Sequence, residues 1–93
     1  MNRIMTIATF KPGTNMQDVF AVVREEVAQV ERLRAEHRMG SVHISMARQT
    51  VFIEVFADDE AGARATIATL PMARWFDIDL YPVPLSPDTQ GPA

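Results

Sequence analysis

The amphipathic stretch from Thr14 to Met39, TNMQDVFAVVREEVAQVERLRAEHRM, restricts this chain more than any other part of it. Met16, Phe20, Val23, Val27 and Val30 recur at alternating steps of four and three residues, which predicts one long helix with an apolar stripe. Thr14 or Asn15 can cap its start, and Gly40 follows its end. Such a helix must bury its stripe against another layer. Glu26 breaks the pattern. At about 100° per residue it falls on the flank shared by Val19, Val22, Val30 and Leu33, while Glu25 falls on the wet face. A carboxylate among valines is costly unless it is paired, hydrogen-bonded or protonated. That marks Glu26 as a candidate proton carrier. The plainer alternative is a rim glutamate that reaches water or pairs with an arginine.

The rest of the chain supplies the missing layer. Arg3–Phe10 alternates and is rich in β-formers, and Lys11-Pro12-Gly13 ends it. Ser41–Ala47 alternates again, with Val42, Ile44 and Met46 on one side and Ser41, His43 and Ser45 on the other. Arg48-Gln49 is a tight reversal. Thr50–Ala57, almost wholly β-branched and aromatic, is the clearest strand. Asp58 is a fit N-cap for an alanine-rich second helix over Asp59–Thr69. Leu70-Pro71 breaks it, Met72–Trp75 makes one short turn, and Phe76–Val83 alternates as the last strand.

The order β-α-β-β-α-β predicts an α+β, ferredoxin-like fold: a four-stranded antiparallel sheet with two helices on one face. Residues 1–85 form the domain, and the proline-rich residues 86–93 form a tail. The helix-facing strand residues are expected to include Met5 and Ile7, Ile44 and Met46, Val51, Ile53 and Val55, and Ile78 and Leu80. Parity then places Ile4, Thr6, Ala8 and Phe10 on the open face, with Phe52, Glu54 and Phe56, and with Asp77, Asp79 and Tyr81. An apolar face of that size calls for a partner, most simply a second copy packed sheet to sheet.

Bulk properties exclude several function classes. Ninety-three residues leave room for one core. The net charge of −3, with basic residues scattered, argues against a nucleic-acid-binding face. There is no cysteine, so neither a disulfide framework nor a thiolate metal site is expected, which fits a cytoplasmic protein. The apolar run near Met1 is too short and too polar for a signal peptide, and no stretch reaches membrane-spanning length. No phosphate-binding loop, HExxH or nucleophile elbow occurs. His37 and His43 lack partners at ligand spacing, so no metal is expected. Asp77, Asp79 and Glu54 share a face, where pairing with Arg3 or Arg48 is the simpler reading than cation binding. Trp75 is a candidate pocket aromatic.

The run Leu70-Pro71-Met72-Ala73-Arg74-Trp75-Phe76-Asp77-Ile78-Asp79-Leu80 resembles the segment leading into the last strand of the muconolactone isomerase family, whose fold is the dimeric α+β barrel. Met5-Thr6-Ile7 resembles that family's first strand, and Arg24-Glu25-Glu26 through Leu33 its long helix. The resemblance covers nearly the whole chain. It implies a cofactor-free enzyme that moves a proton on an unsaturated lactone, converting muconolactone to oxoadipate enol-lactone, in aromatic-compound breakdown. The family's acid–base glutamate falls on Glu26. A donor for the dienolate oxygen would come from His43, Arg48 or Gln49, and Phe52 and Trp75 complete the substrate-binding set. The chain departs from the family after the first helix. Met39-Gly40-Ser41-Val42-His43 and Arg48-Gln49 replace a tryptophan- and histidine-rich stretch, which implies a different pocket. Other cofactor-free chemistry on the same barrel, of oxygenase or cyclase type, and a non-catalytic binding or assembly role stand as alternatives.

Overall fold

The computed structural model describes residues 2–84, so the expected tail lies outside the described residues. The chain runs β1 (Asn2–Phe10), α1 (Met16–Ala21), α2 (Val23–Ala35), β2 (Met39–Ser45), β3 (Thr50–Ala57), α3 (Glu60–Ala68), a 3-10 turn (Pro71–Trp75) and β4 (Phe76–Pro82). The strands pair antiparallel in the order β2-β3-β1-β4, which is the ferredoxin-like arrangement. Ile4, Ala8, Ile53 and Val55 from the sheet meet Leu33 of α2 and Ile67 of α3 in one core. Each of the larger side chains contributes about 1.5–3 kcal/mol by leaving water. Among the described residues no helix is long and apolar enough to cross a membrane.

The expected single helix is two. Asn15 caps α1 by accepting the Gln17 N–H at 2.9 Å. The helix then breaks at Val22, whose φ and ψ are −111° and 14°. Val22 and Val23 are adjacent β-branched residues with low helix propensity, so a break there costs little. The Glu26 N–H still donates to the Val22 carbonyl, and α2 runs on. It stops before Gly40. Its end is a Schellman motif: Arg38 N–H donates to Leu33, His37 N–H donates to Arg34, and His37 takes the left-handed conformation at φ 58°. β2 consequently begins at Met39, two residues early. Asp59, not Asp58, caps α3, accepting the Gly62 N–H at 2.8 Å.

The alternation of β1 is the reverse of the expected one. Ile4, Thr6 and Ala8 point to the helices and are buried, while Met5 and Ile7 lie on the open face. Both sides of this central strand are apolar, so hydrophobicity does not choose between them, and a slip of one residue exchanges them. Size and charge do choose. Small Thr6 and Ala8 allow the helices to come close, and Arg3 must share the open face with Glu54, its ion-pair partner at 3.4 Å. Phe10 accordingly faces inward and stacks at a tilt on Phe76, ring centroids 5.3 Å apart.

Gly40 sits where β2 bulges against β3. A Cβ there would overlap Glu54 Oε1 and come within 3.1 Å of Phe56. The bare backbone lets Glu54 accept the Ser41 N–H at 3.0 Å, a bond that, with the Arg3 guanidinium, holds its carboxyl below the usual carboxylate range.

The helix-facing set contains one unsatisfied group. Thr6 Oγ1 is buried with no hydrogen-bond partner among the described residues. Valine has the same shape without the hydroxyl. Thr6→Val should therefore stabilise the fold by about 1 kcal/mol, a rise of roughly 4–8 °C in melting temperature for a domain of this size, measurable by calorimetry.

Candidate functional site

A cleft of about 370 Å³ lies between the α1–α2 segment and the β2–β3 half of the sheet. Val42, Val51 and Ile53 form its floor, and Val19, Val30 and Glu26 its roof. Phe10, Phe76 and Met72 close one end. The helix exposes an unexpected edge. The flank carrying Val19, Glu26, Val30 and Leu33 turns to the sheet, while part of the expected stripe rises to the cleft's mouth, where Phe20 is 59% and Val27 54% exposed. Opposite them Ile44 and Met46, expected as core, are 64% and 73% exposed. The mouth is thus an apolar rim on both sides.

Among the described residues, Glu26 is the one ionisable group lining the cleft that is not exposed. Leu70-Pro71 starts the 3-10 turn, and Pro71 has no N–H. Met72 supplies an N–H with no partner inside the turn, and Glu26 Oε1 accepts it at 2.9 Å from a position 46 residues away. The second carboxylate oxygen makes no protein hydrogen bond among the described residues. Burial pushes the Glu26 carboxyl above its ordinary value, and the Met72 N–H, which favours the ionised form, offsets only part of that push. A half-buried carboxylate with one oxygen anchored and the other free is suited to accepting and returning a proton.

The other charged groups of the cleft, Glu31 and Arg34, stand exposed at its edge. Arg34 Nε donates to the Gly40 carbonyl at 2.9 Å, and its Nη1 lies 3.5 Å from Glu31. Neither residue stands out in the sequence; both line the cleft from its exposed edge.

The sequence-derived binding set does not assemble around Glu26. His43 and Phe52 are cross-strand neighbours on the open face, on the far side of the sheet from the cleft. Arg48 is exposed in the β2–β3 turn. Gln49, in the left-handed region at φ 47°, borders a smaller hollow beside Phe10, Phe20 and Met46. Trp75 is half-buried at the end of the 3-10 turn, with the Arg74 guanidinium 4.9 Å from its ring centroid. Among the described residues no group of three His, Asp or Glu side chains is placed to hold a metal ion. No protein-family model matches the chain, and no curated protein matches its sequence.

The pH dependence of stability isolates Glu26. A carboxyl whose folded pKa lies above its unfolded value binds more protons when folded, so stability falls as pH rises between the two values. For Glu26 that window opens upward from about 4.5. Glu54 acts in the opposite sense and below that value, because its pKa is lowered. Gln at position 26 keeps an acceptor for Met72 without the charge. Urea unfolding should show Glu26→Gln more stable than wild type at about pH 7, with the gain vanishing at about pH 3.5.

Proposed function

We propose that this protein is a cytoplasmic, cofactor-free isomerase of muconolactone isomerase type, shifting a double bond in a small unsaturated lactone or related carbonyl acid. The observation that carries this reading is the Glu26 carboxylate, anchored by Met72 and facing an open apolar cleft. The resemblance of Arg24–Leu33 and Leu70–Leu80 to that family supports it, since these are the two segments the Glu26–Met72 bond joins.

The step balances within substrate and side chain. Ionised Glu26 takes a proton from the saturated ring carbon at the far end of the C=C–C=O system. The C–H electron pair spreads into a dienolate, and the protonated Glu26 returns the proton to the carbon next to the carbonyl. The double bond moves and no atom is lost. A base with a raised pKa makes the first transfer easier, and the protonated form it becomes is the acid the second transfer needs.

A second reading is a non-catalytic binding protein. It draws on the same Met72 bond, which would then be a cap that locks the turn to the helix and nothing more. Ultraviolet assay of double-bond migration in muconolactone and in its neutral analogue β-angelica lactone separates the two. Glu26→Gln should lose about 10²–10⁴-fold in rate while staying folded. If wild type leaves both lactones unchanged, the isomerase reading fails and the binding reading stands.

We also propose that a second copy covers the open face. Met5, Ile7, Phe52, Phe56 and Tyr81 lie there together, with Tyr81 52% exposed, around the Arg3–Glu54 ion pair. A patch of this kind is costly to leave in water. Sedimentation should find wild type dimeric and Phe52→Glu shifted to monomer, because burying a carboxylate in the seam would strip it of water.

A further inference from the structure

We infer that Arg34 is the carboxylate-binding residue of the cleft, so that the ligand is a small acid held by its anionic end at the exposed edge, with its carbon skeleton reaching in toward Glu26. This deepens the proposed function and rests on its reading of the cleft as the place where a ligand meets Glu26.

Among the described residues Arg34 is the only cation lining the cleft. It lies in α2 just over two turns beyond Glu26, about 12 Å along the axis. Val30 stands between them on the same wall. A cation in the last turn of a helix also answers the helix dipole, but Arg32 does that in the same turn from outside the cleft. Arg34 instead reaches toward β2, where its Nε donates to the Gly40 carbonyl at 2.9 Å. That bond anchors the guanidinium at the cleft's edge. It leaves Nη2 with no protein hydrogen bond among the described residues.

Glu31 is the one side chain that competes for this arginine. Its Oε1 lies 3.5 Å from Nη1, and the two side chains are 64% and 42% exposed. An exposed pair at that distance contributes little, so Glu31 can swing into water at little cost. A ligand carboxylate presented to Nη1 and Nη2 makes the two-oxygen match that Glu31 does not make here. Charge then sets the orientation. An acid group is repelled by Glu26 on the inner wall and attracted by Arg34 at the edge. Val30, Met39 and Val42 take the carbon skeleton between them. The two side chains and one small acid can bridge the gap. A volume of about 370 Å³, at the low end of the roughly 300–1,000 Å³ of ligand sites, fits a molecule of one or two rings.

Two unreactive probes of the same shape test this: anionic phenylacetate and neutral phenylacetamide, at neutral pH and low salt. Calorimetric titration of wild type should show phenylacetate binding about tenfold more tightly, a difference of about 1.4 kcal/mol. The preference should shrink as salt is raised, because Arg34 is open to screening. Arg34→Gln, shown to be folded by its amide spectrum, should lose the preference. Arg34→Lys should keep part of it, and Glu31→Gln should enlarge it by freeing the guanidinium. Equal binding of the two probes by wild type overturns the inference. So does binding of neither, or a preference that survives in Arg34→Gln. Turnover gives a separate readout. Arg34→Gln should lower kcat/KM for muconolactone about tenfold more than for β-angelica lactone, and through KM, whereas a merely structural role would lower both alike. A carboxylate preference that depends on Arg34, without isomerisation of either lactone, would sink the proposed reaction and leave Arg34 its role. Isomerisation with no such preference would do the reverse.

Discussion

Glu26 Oε1 and the Met72 N–H, 2.9 Å apart, tie the first helical layer to the turn that feeds β4. The bond exists because two local necessities meet. Proline at position 71 starts a 3-10 turn and leaves the next N–H unpaired, and a buried helical flank presents a carboxylate that needs a donor. A leucine at position 26 would remove the desolvation cost but leave the Met72 N–H without its acceptor. The pairing also fixes the side chain. One oxygen is held, so the other is confined to a narrower range of positions than a surface glutamate has. Geometry of that kind costs little entropy when a ligand arrives, because the rotamer is already lost on folding.

The sheet imposes the second constraint. It is a single layer, so the two sides must solve different problems. The helix side uses small residues in β1, Thr6 and Ala8, against the alanine-rich α3, whose Ala63 is wholly buried. The open side carries the large aromatics Phe52, Phe56 and Tyr81, together with the Arg3–Glu54–Ser41 network. Gly40 belongs to that network by having no side chain, which is why it lies in the β2 bulge and not at the helix end.

Element order was legible because hydrophobic period changes sharply along the chain, and β3 at Thr50–Ala57 was legible to the residue. Details set by tertiary contact were not. The parity of β1 was hidden by a strand that is apolar on both sides; the signal that decides it is Arg3, which shares parity with Met5 and Ile7 and requires Glu54 across the strand pair. The broken helix was hidden because its stripe is continuous through Val22 and Val23. His37 in a left-handed cap defied the expectation that glycine ends a helix. In the site, Glu26 was legible as a charge in the wrong place. Its partner was not, since a backbone donor 46 residues distant leaves no trace in side-chain pattern. The stripe of Phe20, Val23 and Val27 read as core because a wide apolar face does not reveal which of its edges turns downward. The choice of edge brings Glu26 under cover and lifts the phenylalanine to the mouth.

The electrostatics of the proposed proton shift follow from the same arrangement. Before the proton moves, Glu26 and the reacting part of the ligand share one negative charge, on Glu26. When the proton moves to Glu26, that charge passes to the ligand's dienolate oxygen, and the pair still carries one. The reacting pair never holds two charges and never loses the one it began with, so the desolvation already suffered by Glu26 in the folded state is carried over to the dienolate instead of being added to it. The Met72 N–H loses strength as a bond to Glu26 when the carboxyl is protonated. That disfavours the protonated side chain and drives the proton onward to the ligand. A raised resting pKa works in the first half of the cycle and the Met72 bond in the second, so the two opposing influences on one carboxyl suit the two directions in which an isomerase must move its proton.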